Sequence, residues 1–373
     1  MASETKTFIP QIQPTITQIE VDRVSVAVQS TWITESNETQ MFEQWFSNVS
    51  NRPTTSYCNG TAALLSIGHI LKMRFGTLNL AVPNMTFISS MSPFLMLDAN
   101  ITLLDVDQYS GQLDVSRLEE IPDGINVLVL PILYGAICDI DEVERYCRDK
   151  GICLVIDAAQ AVGQSINGRS IFSFGDFCFS SFYGNKIITS AEGAVIMCSE
   201  EDMIEVKRMK NHGRDKKGVF FHDHFGLNFA FSDIHAALGN AQLSRLPEIL
   251  DKKRAIFDYY KSNIKNDLIH MFNSDQSLVS NHWFSSILTD EPALLHQFLL
   301  NRNIGSRRAF GLLSHQKMLT RHDYPSRLNA NLDLNGSERF YNSFLSLPSS
   351  FDLTTEDLER IVMAINDYKE RAM

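Results

Sequence analysis

The chain reads as an α/β protein with a large domain on a mostly parallel central sheet and a smaller α+β C-terminal domain. Between about residues 60 and 200, short runs rich in Val, Ile and Leu alternate with stretches of helical spacing. That is the pattern of strands buried on both faces beneath helices. A length of 373 residues exceeds what one core comfortably holds, and 44% hydrophobic with 21% charged residues is ordinary for a globular chain. The expected division is 1–245 for the large domain with its N-terminal segment and 246–373 for the small one.

In chain order, Asn79–Pro83, Ile101–Val106, Asn126–Leu133 and Cys153–Asp157 are predicted strands because their apolar residues are nearly continuous. Thr61–Arg74, Ser116–Ile121 and Ile140–Lys150 have helical spacing, the last with Asp139 as a cap and acids in its first turn. Asp176–Phe182 and Ala194–Ser199 continue the strand series, and Ser232–Lys261 is a long helical stretch with a break expected near Pro247. From about Phe272 the pattern changes to short strands, two helices and a final amphipathic helix, Thr355–Arg371. The polar Met1–Lys6 is expected to be loose.

Several function classes fall away. A formal charge of −11 opposes broad nucleic-acid binding, which needs clustered Lys and Arg. No apolar run reaches membrane-spanning length, and the N-terminus lacks a basic-then-apolar signal pattern. The six cysteines are scattered without metal-like pairing, so a cytoplasmic protein with reduced thiols and no metal is expected. A dinucleotide-binding dehydrogenase would carry GxGxxG after an early strand, and none is there.

Three segments carry chemistry. Asn59-Gly60-Thr61-Ala62-Ala63-Leu64 opens an amphipathic helix, where free amides, a hydroxyl and the helix dipole suit a phosphate, although Gly-Thr is also an ordinary helix start. Cys153-Leu154-Val155-Ile156-Asp157-Ala158-Ala159-Gln160 ends a buried strand in an acid, where an open parallel sheet binds ligands. Asp157 there either keeps a pyridine nitrogen protonated or simply caps the following turn. Ser180-Ser181-Phe182-Tyr183-Gly184-Asn185-Lys186 runs from a strand to a single lysine, followed by Thr189-Ser190-Ala191-Glu192-Gly193. A lysine in a partly dry pocket loses its proton and attacks an aldehyde, whereas most lysines are solvated surface residues.

In this order and spacing the segments resemble the DegT/DnrJ/EryC1/StrS family of sugar aminotransferases, which have the aspartate-aminotransferase-like (type I) fold. The resemblance spans nearly the whole chain. It includes Trp32-Ile33-Thr34 with Phe42-Glu43, Pro83 with Thr86-Phe87-Ile88, and Leu133-Tyr134-Gly135 with Asp139. It continues through His212-Gly213-Arg214, Gly226-Leu227-Asn228-Phe229, Ala236-Ala237-Leu238-Gly239 with Gln242-Leu243, and Ser346-Leu347-Pro348 with Leu353-Thr354.

The resemblance implies pyridoxal phosphate as cofactor, with Lys186 forming its Schiff base and relaying protons. It implies Asp157 on the pyridinium nitrogen, Gln160 by the ring hydroxyl and Phe87 stacked on the ring. Gly60, Thr61 and Ser180 would hold the phosphate, with Ala62 beside them in the cofactor-binding set. Asn228 would reach the phosphate of a neighbouring subunit, making a homodimer with shared active sites. Arg307 or Arg308, with Phe310 and His315, lies where relatives approach the nucleotide, and His212 is a lesser substrate-binding candidate that also reads as a structural residue beside Gly213. The implied reaction is ping-pong transfer from L-glutamate to a nucleotide-linked keto-6-deoxy sugar, 4-keto favoured over 3-keto, for surface-polysaccharide or related amino-sugar biosynthesis. A dehydratase-like enzyme and a non-catalytic regulatory relative are the alternatives; retained Lys186 opposes the first, and retained Lys186, Asp157 and Gln160 oppose the second. Three departures stand out: Ala230 where relatives often have a basic residue, Ala194 where Gly is common, and Glu35–Gln40 without a Gly-Pro turn.

Overall fold

The computed structural model describes residues 7–215, 218, 220–272, 278–320, 328–329 and 332–369. Met1–Lys6 and the end of the predicted C-terminal helix at Arg371 lie outside these residues. The central sheet contains β1 (Thr54–Tyr57), β2 (Asn79–Pro83), β3 (Asn100–Leu104), β4 (Val127–Pro131), β5 (Cys153–Asp157), β6 (Phe177–Ser181) and β7 (Ala194–Met197). Their spatial order is β1-β7-β6-β5-β4-β2-β3, with the short strand Leu328–Asn329 paired beyond β3. From β6 to β3 all pairings are parallel, whereas β7 runs antiparallel to both β6 and β1.

The continuous apolar runs have a direct physical cause. Along β4, Val127 and Val129 pack into one hydrophobic cluster while Leu128 and Leu130 pack into another on the opposite face. In β5, Cys153 and Val155 divide from Leu154 and Ile156 in the same way. With both faces covered, alternation has nothing polar to show. By contrast β1 reads Thr-Thr-Ser-Tyr, is fully buried, and was not predicted as a strand. The predicted helix Ser116–Ile121 is instead a 3₁₀ segment, Val115–Glu120.

The long helical stretch is two helices, Asp233–Ser244 and Leu246–Asn263. Arg245 separates them, and Pro247 sits in the first turn of the second, where its missing N–H costs nothing. The helices Gln18–Gln29 and Asn37–Ser50 pack against the first of the pair. Ser36 gives the Asn37–Ser50 helix no side-chain cap. Buried Asp233 replaces it, accepting from the amides of Ser36 (2.8 Å), Glu38 (3.2 Å) and Thr39 (3.0 Å).

The C-terminal part has its own four-stranded antiparallel sheet, ordered His270–Met271, Ser286–Leu288, Phe344–Ser346, Arg307–Arg308. Tyr260, Ile287, Leu299, Leu345 and Ile361 are in a separate core there. Ile9 joins that core and bridges Ile304, so the described N-terminal residues reach across to the C-terminal unit.

Candidate active site

A cavity of about 630 Å³ opens where the carboxyl ends of β5 and β6 meet the start of the helix Gly60–Phe75, a size in the usual ligand range. Asn59 caps this helix, its side-chain oxygen accepting from the Ala62 amide at 2.9 Å. The Ala63 amide bonds the Asn59 carbonyl, so helix geometry leaves the Gly60 and Thr61 amides without an intrahelical partner. A Cβ on residue 60 would meet the Phe179 ring and Ser181 Cβ at 3.3 Å, so glycine lets this helix end lie close against β6. Along β6, Phe179 and Ser181 line the cavity. Ser180 is fully buried and donates its hydroxyl to the Ala158 carbonyl at 3.1 Å. Ser181, not Ser180, therefore stands beside Gly60.

Asp157 is the last residue of β5 and only 8% exposed. Its carboxylate accepts from the Ser90 hydroxyl at 2.6 Å and the Ala159 amide at 3.1 Å. Burial raises its pKa above the ordinary aspartate value, and those two bonds with the Lys186 charge oppose the shift. Ser90 is held in turn by Thr86 at 2.9 Å. Gln160 also lines the cavity, its side-chain oxygen accepting from the Tyr134 amide at 2.8 Å.

Lys186 projects into the same cavity from the turn after β6, where its amide bonds the Tyr183 carbonyl at 2.9 Å. Burial lowers its pKa to about 8, while Asp157 pulls the other way. An amine, a buried carboxylate and a helix N-terminus thus share one wall. The amine can shed its proton near neutral pH, the carboxylate can hold a proton or a cation, and the helix end can take an anion.

The sequence profile described as the DegT/DnrJ/EryC1/StrS aminotransferase family matches residues 14–366. The chain belongs to the DegT/DnrJ/EryC1/StrS aminotransferase family. It is 28% identical over 371 residues to GDP-perosamine synthase of Escherichia coli O157:H7, covering 97% of this chain and 98% of that one. GDP-perosamine synthase of Vibrio cholerae is likewise 28% identical over 312 residues, covering 81% and 85%. Among solved structures, Helicobacter pylori PseC, an aminotransferase involved in pseudoaminic acid biosynthesis, superposes with a TM-score of 0.88. That pair shares 19% identity over 96% of this chain and 98% of PseC, which shows the aspartate-aminotransferase-like fold. Enzymes of the family depend on pyridoxal phosphate, and this chain is one of its aminotransferases.

The residues present fit that cofactor. Asp157 is a buried acid for a protonated ring nitrogen, and the glycine at residue 60 leaves room for a phosphate at the helix end. Phe87, 53% exposed at the cavity rim, offers a flat apolar face. Among the described residues, no cluster of His, Cys, Asp and Glu is built to hold a metal, and no helix is long and apolar enough to cross a membrane.

The other anticipated residues divide. Arg307 and Phe310 line the cavity, with Phe310 5.4 Å from Phe87 between ring centroids and its amide donating to the Tyr134 hydroxyl at 2.9 Å. Arg308 is turned away, donating to the Tyr341 carbonyl at 3.1 Å and lying over the Tyr341 ring. His315 is off the wall and 2.7 Å from Glu338. His212 is exposed with φ 57° and takes no part in the cavity. Asn228 is also exposed, bridged to Asn211, while its neighbour Phe229 lines the wall.

The sequence had not singled out Ser90 or Trp283. The Trp283 ring centroid lies 4.7 Å from Lys186 Nζ, and its indole N–H donates to the Asn185 carbonyl at 2.7 Å. Its only signal was a tryptophan in an otherwise ordinary Asn-His-Trp-Phe run, almost 100 positions from the lysine.

Proposed function

We propose that this aminotransferase moves the amino group of L-glutamate onto the ketone of a nucleotide-linked keto-6-deoxy sugar, 4-keto favoured over 3-keto. The observation that carries the reading is one cavity holding Lys186, Asp157 and Arg307. Arg307 is the cation on that wall other than Lys186, and it suits the carboxylate of a donor or the diphosphate of an acceptor. Support for the sugar comes from the likeness to two GDP-perosamine synthases, nearly full-length for one of them, so the GDP-linked ketone is the first acceptor to try.

When bound, pyridoxal phosphate supplies an aldehyde and an electron sink. Lys186 would hold it and would be the amine that carries the proton to and from the substrate carbon. Asp157, its orientation fixed by Ser90 and Ala159, would keep the proton on the ring nitrogen. The free Gly60 and Thr61 amides, with the Ser181 hydroxyl, would receive the phosphate, and Ala62, whose amide is taken by Asn59, would stand beside it. Gln160 would hold the ring hydroxyl, and Phe87 would offer its face to the ring.

The enzyme works as a homodimer in the cytoplasm, feeding amino-sugar synthesis for surface polysaccharide. Asn228 lies off its own cavity and is assigned to the partner's phosphate. Phe220, Phe221 and Phe225 are exposed just before Asn228 in the chain, and Trp32 and Ile33 are exposed before the helix Asn37–Ser50, apolar surface that a second copy would cover.

The test is absorbance of purified protein with added pyridoxal phosphate, then L-glutamate, then keto sugars on GDP, dTDP and UDP. A visible-edge band that fades with glutamate and returns with one sugar nucleotide is expected. A band that glutamate leaves untouched would refute the donor, and no recovery with any keto sugar would refute the acceptor class.

A further inference from the structure

We propose that the segment Ser280–Trp283 is a positioning strap for the reactive lysine, and that the Trp283 ring stabilises the Lys186 ammonium by a cation–π contact. The inference rests on Lys186 being the reacting lysine.

The strap is fastened at every residue. Asn281 donates through its amide to the Gln160 carbonyl at 2.7 Å and the Val162 carbonyl at 3.0 Å. Its side-chain oxygen accepts from the Trp283 amide at 3.0 Å and from Gln164 at 3.3 Å. His282 holds a left-handed φ of 45° and stacks on Phe257, ring centroids 4.2 Å apart. Ser280 packs so close to residue 135 that a Cβ there would meet its hydroxyl at 2.5 Å. The carbonyl of Trp283 accepts from buried Lys253 at 3.2 Å.

All of this converges on one indole. Trp283 is 2% exposed, bonds the residue before Lys186 through its N–H, and presents its ring 4.7 Å from the lysine nitrogen. A cation within about 6 Å of a ring centroid is attracted by the ring quadrupole, and the neutral amine gains much less. Burial pushes the lysine toward the neutral form, and the ring pushes back. The other charged or titratable side chains on this cavity wall are Asp157, Tyr183, Glu192 and Arg307. A lysine that must alternate between amine and ammonium is served by both influences, and the Asn185 bond keeps the turn that presents it in place.

The test uses the cofactor-free protein, so it does not depend on turnover. The extent of reductive methylation at Lys186 is followed by peptide mass spectrometry against pH, with exposed Lys150 as internal control. Trp283→Leu should move the Lys186 midpoint down by about one unit, in line with the strength of such contacts. Trp283→Phe, which keeps a ring and loses the N–H, should shift it by less than half of that. Should Trp283→Leu fail to fold, fluorinated tryptophan incorporated throughout keeps the shape and weakens the quadrupole. The midpoint should then fall stepwise with fluorination. A midpoint unmoved by Trp283→Leu or by fluorination overturns the proposal. Turnover by Lys186→Ala would instead overturn the role given to the lysine, with this titration unaffected.

Discussion

Two buried lysines separate what burial does from what a site does. Burial lowers the pKa of Lys186 to about 8 and that of Lys253 to about 7. The surroundings otherwise differ. Lys186 faces a cavity of about 630 Å³ with a carboxylate across it. Lys253, on the helix Leu246–Asn263, donates to the carbonyls of Trp283 and Ser349 and lies outside that cavity. One holds its charge next to space for a ligand; the other spends it tying the helix to two neighbouring segments. A depressed lysine pKa therefore marks burial, and function needs the cavity and the opposing charge as well.

The sharpest way to break this comparison is to remove each nitrogen. Lys186→Ala should lower transamination by roughly 10²–10⁴-fold from lost proton transfer alone, with thermal unfolding nearly unchanged. Single-turnover rates with glutamate, read beside circular dichroism, check it, and near-normal turnover would mean that another base serves. Asp157→Asn should leave the cofactor bound and slow the reaction by about 10²-fold, the worth of a charge-assisted bond at a buried position. An unchanged rate would reduce Asp157 to a turn cap on the Ala159 amide.

The two lysines were not equally legible in the sequence. Lys186 stood at the end of a strand-and-turn run in a fixed order with Asp157 and Gly60, so chain order alone brought the three together. Lys253 was one more polar residue in a helical pattern. Trp283 and Arg307 reach the cavity from the C-terminal half; the family resemblance pointed to Arg307 or Arg308 without choosing, and no local pattern announces Trp283, a contact made by tertiary packing. The two serines of β6 show a finer limit. Successive strand residues face opposite sides, so one position separates Ser181 at the cavity from Ser180 beneath it. Sequence placed the strand but not its parity. The polar run of β1 hid a buried strand because its burial comes from neighbours, including Glu43, whose carboxylate takes the Ser56 amide at 2.7 Å.

Lys253→Met sharpens the contrast. Two carbonyls lose their donor, which should cost about 1–3 kcal/mol of stability, while per-site activity of the folded enzyme stays within a few-fold. The pH dependence carries a sign. A lysine whose folded pKa lies below its unfolded value imposes a penalty that is full below about pH 7 and is relieved as pH rises toward 10.5. The wild type gains stability over that interval and the variant lacks the gain, so the difference between them should widen from pH 7 to 9 in chemical denaturation. A constant difference would mean that the two carbonyls hold the ammonium charged in the folded state.

Glu20 supplies the opposite case, a buried charge with a full set of partners. Burial alone would raise its pKa, but Thr17, Arg245 and Gln242 hold it at about 2. Arg245 lies 2.9 Å away at the junction of the two long helices, and the Gln242 amide is at 2.8 Å. A carboxylate with a depressed folded pKa contributes stability above its unfolded value, near 4.5, and loses it as pH falls through about 2. Glu20→Gln keeps one oxygen for the Thr17 amide and hydroxyl but turns an NH2 toward the Arg245 and Gln242 donors that the other carboxylate oxygen had taken, so the loss at pH 7 should be about 2–3 kcal/mol, the scale of hydrogen bonds to a charged group. Denaturation curves of the two proteins should converge between pH 4.5 and 2. If they remain parallel through that range, the Gln18–Gln29 helix is held by shape and neutral hydrogen bonds, and the charge of Glu20 adds nothing to them.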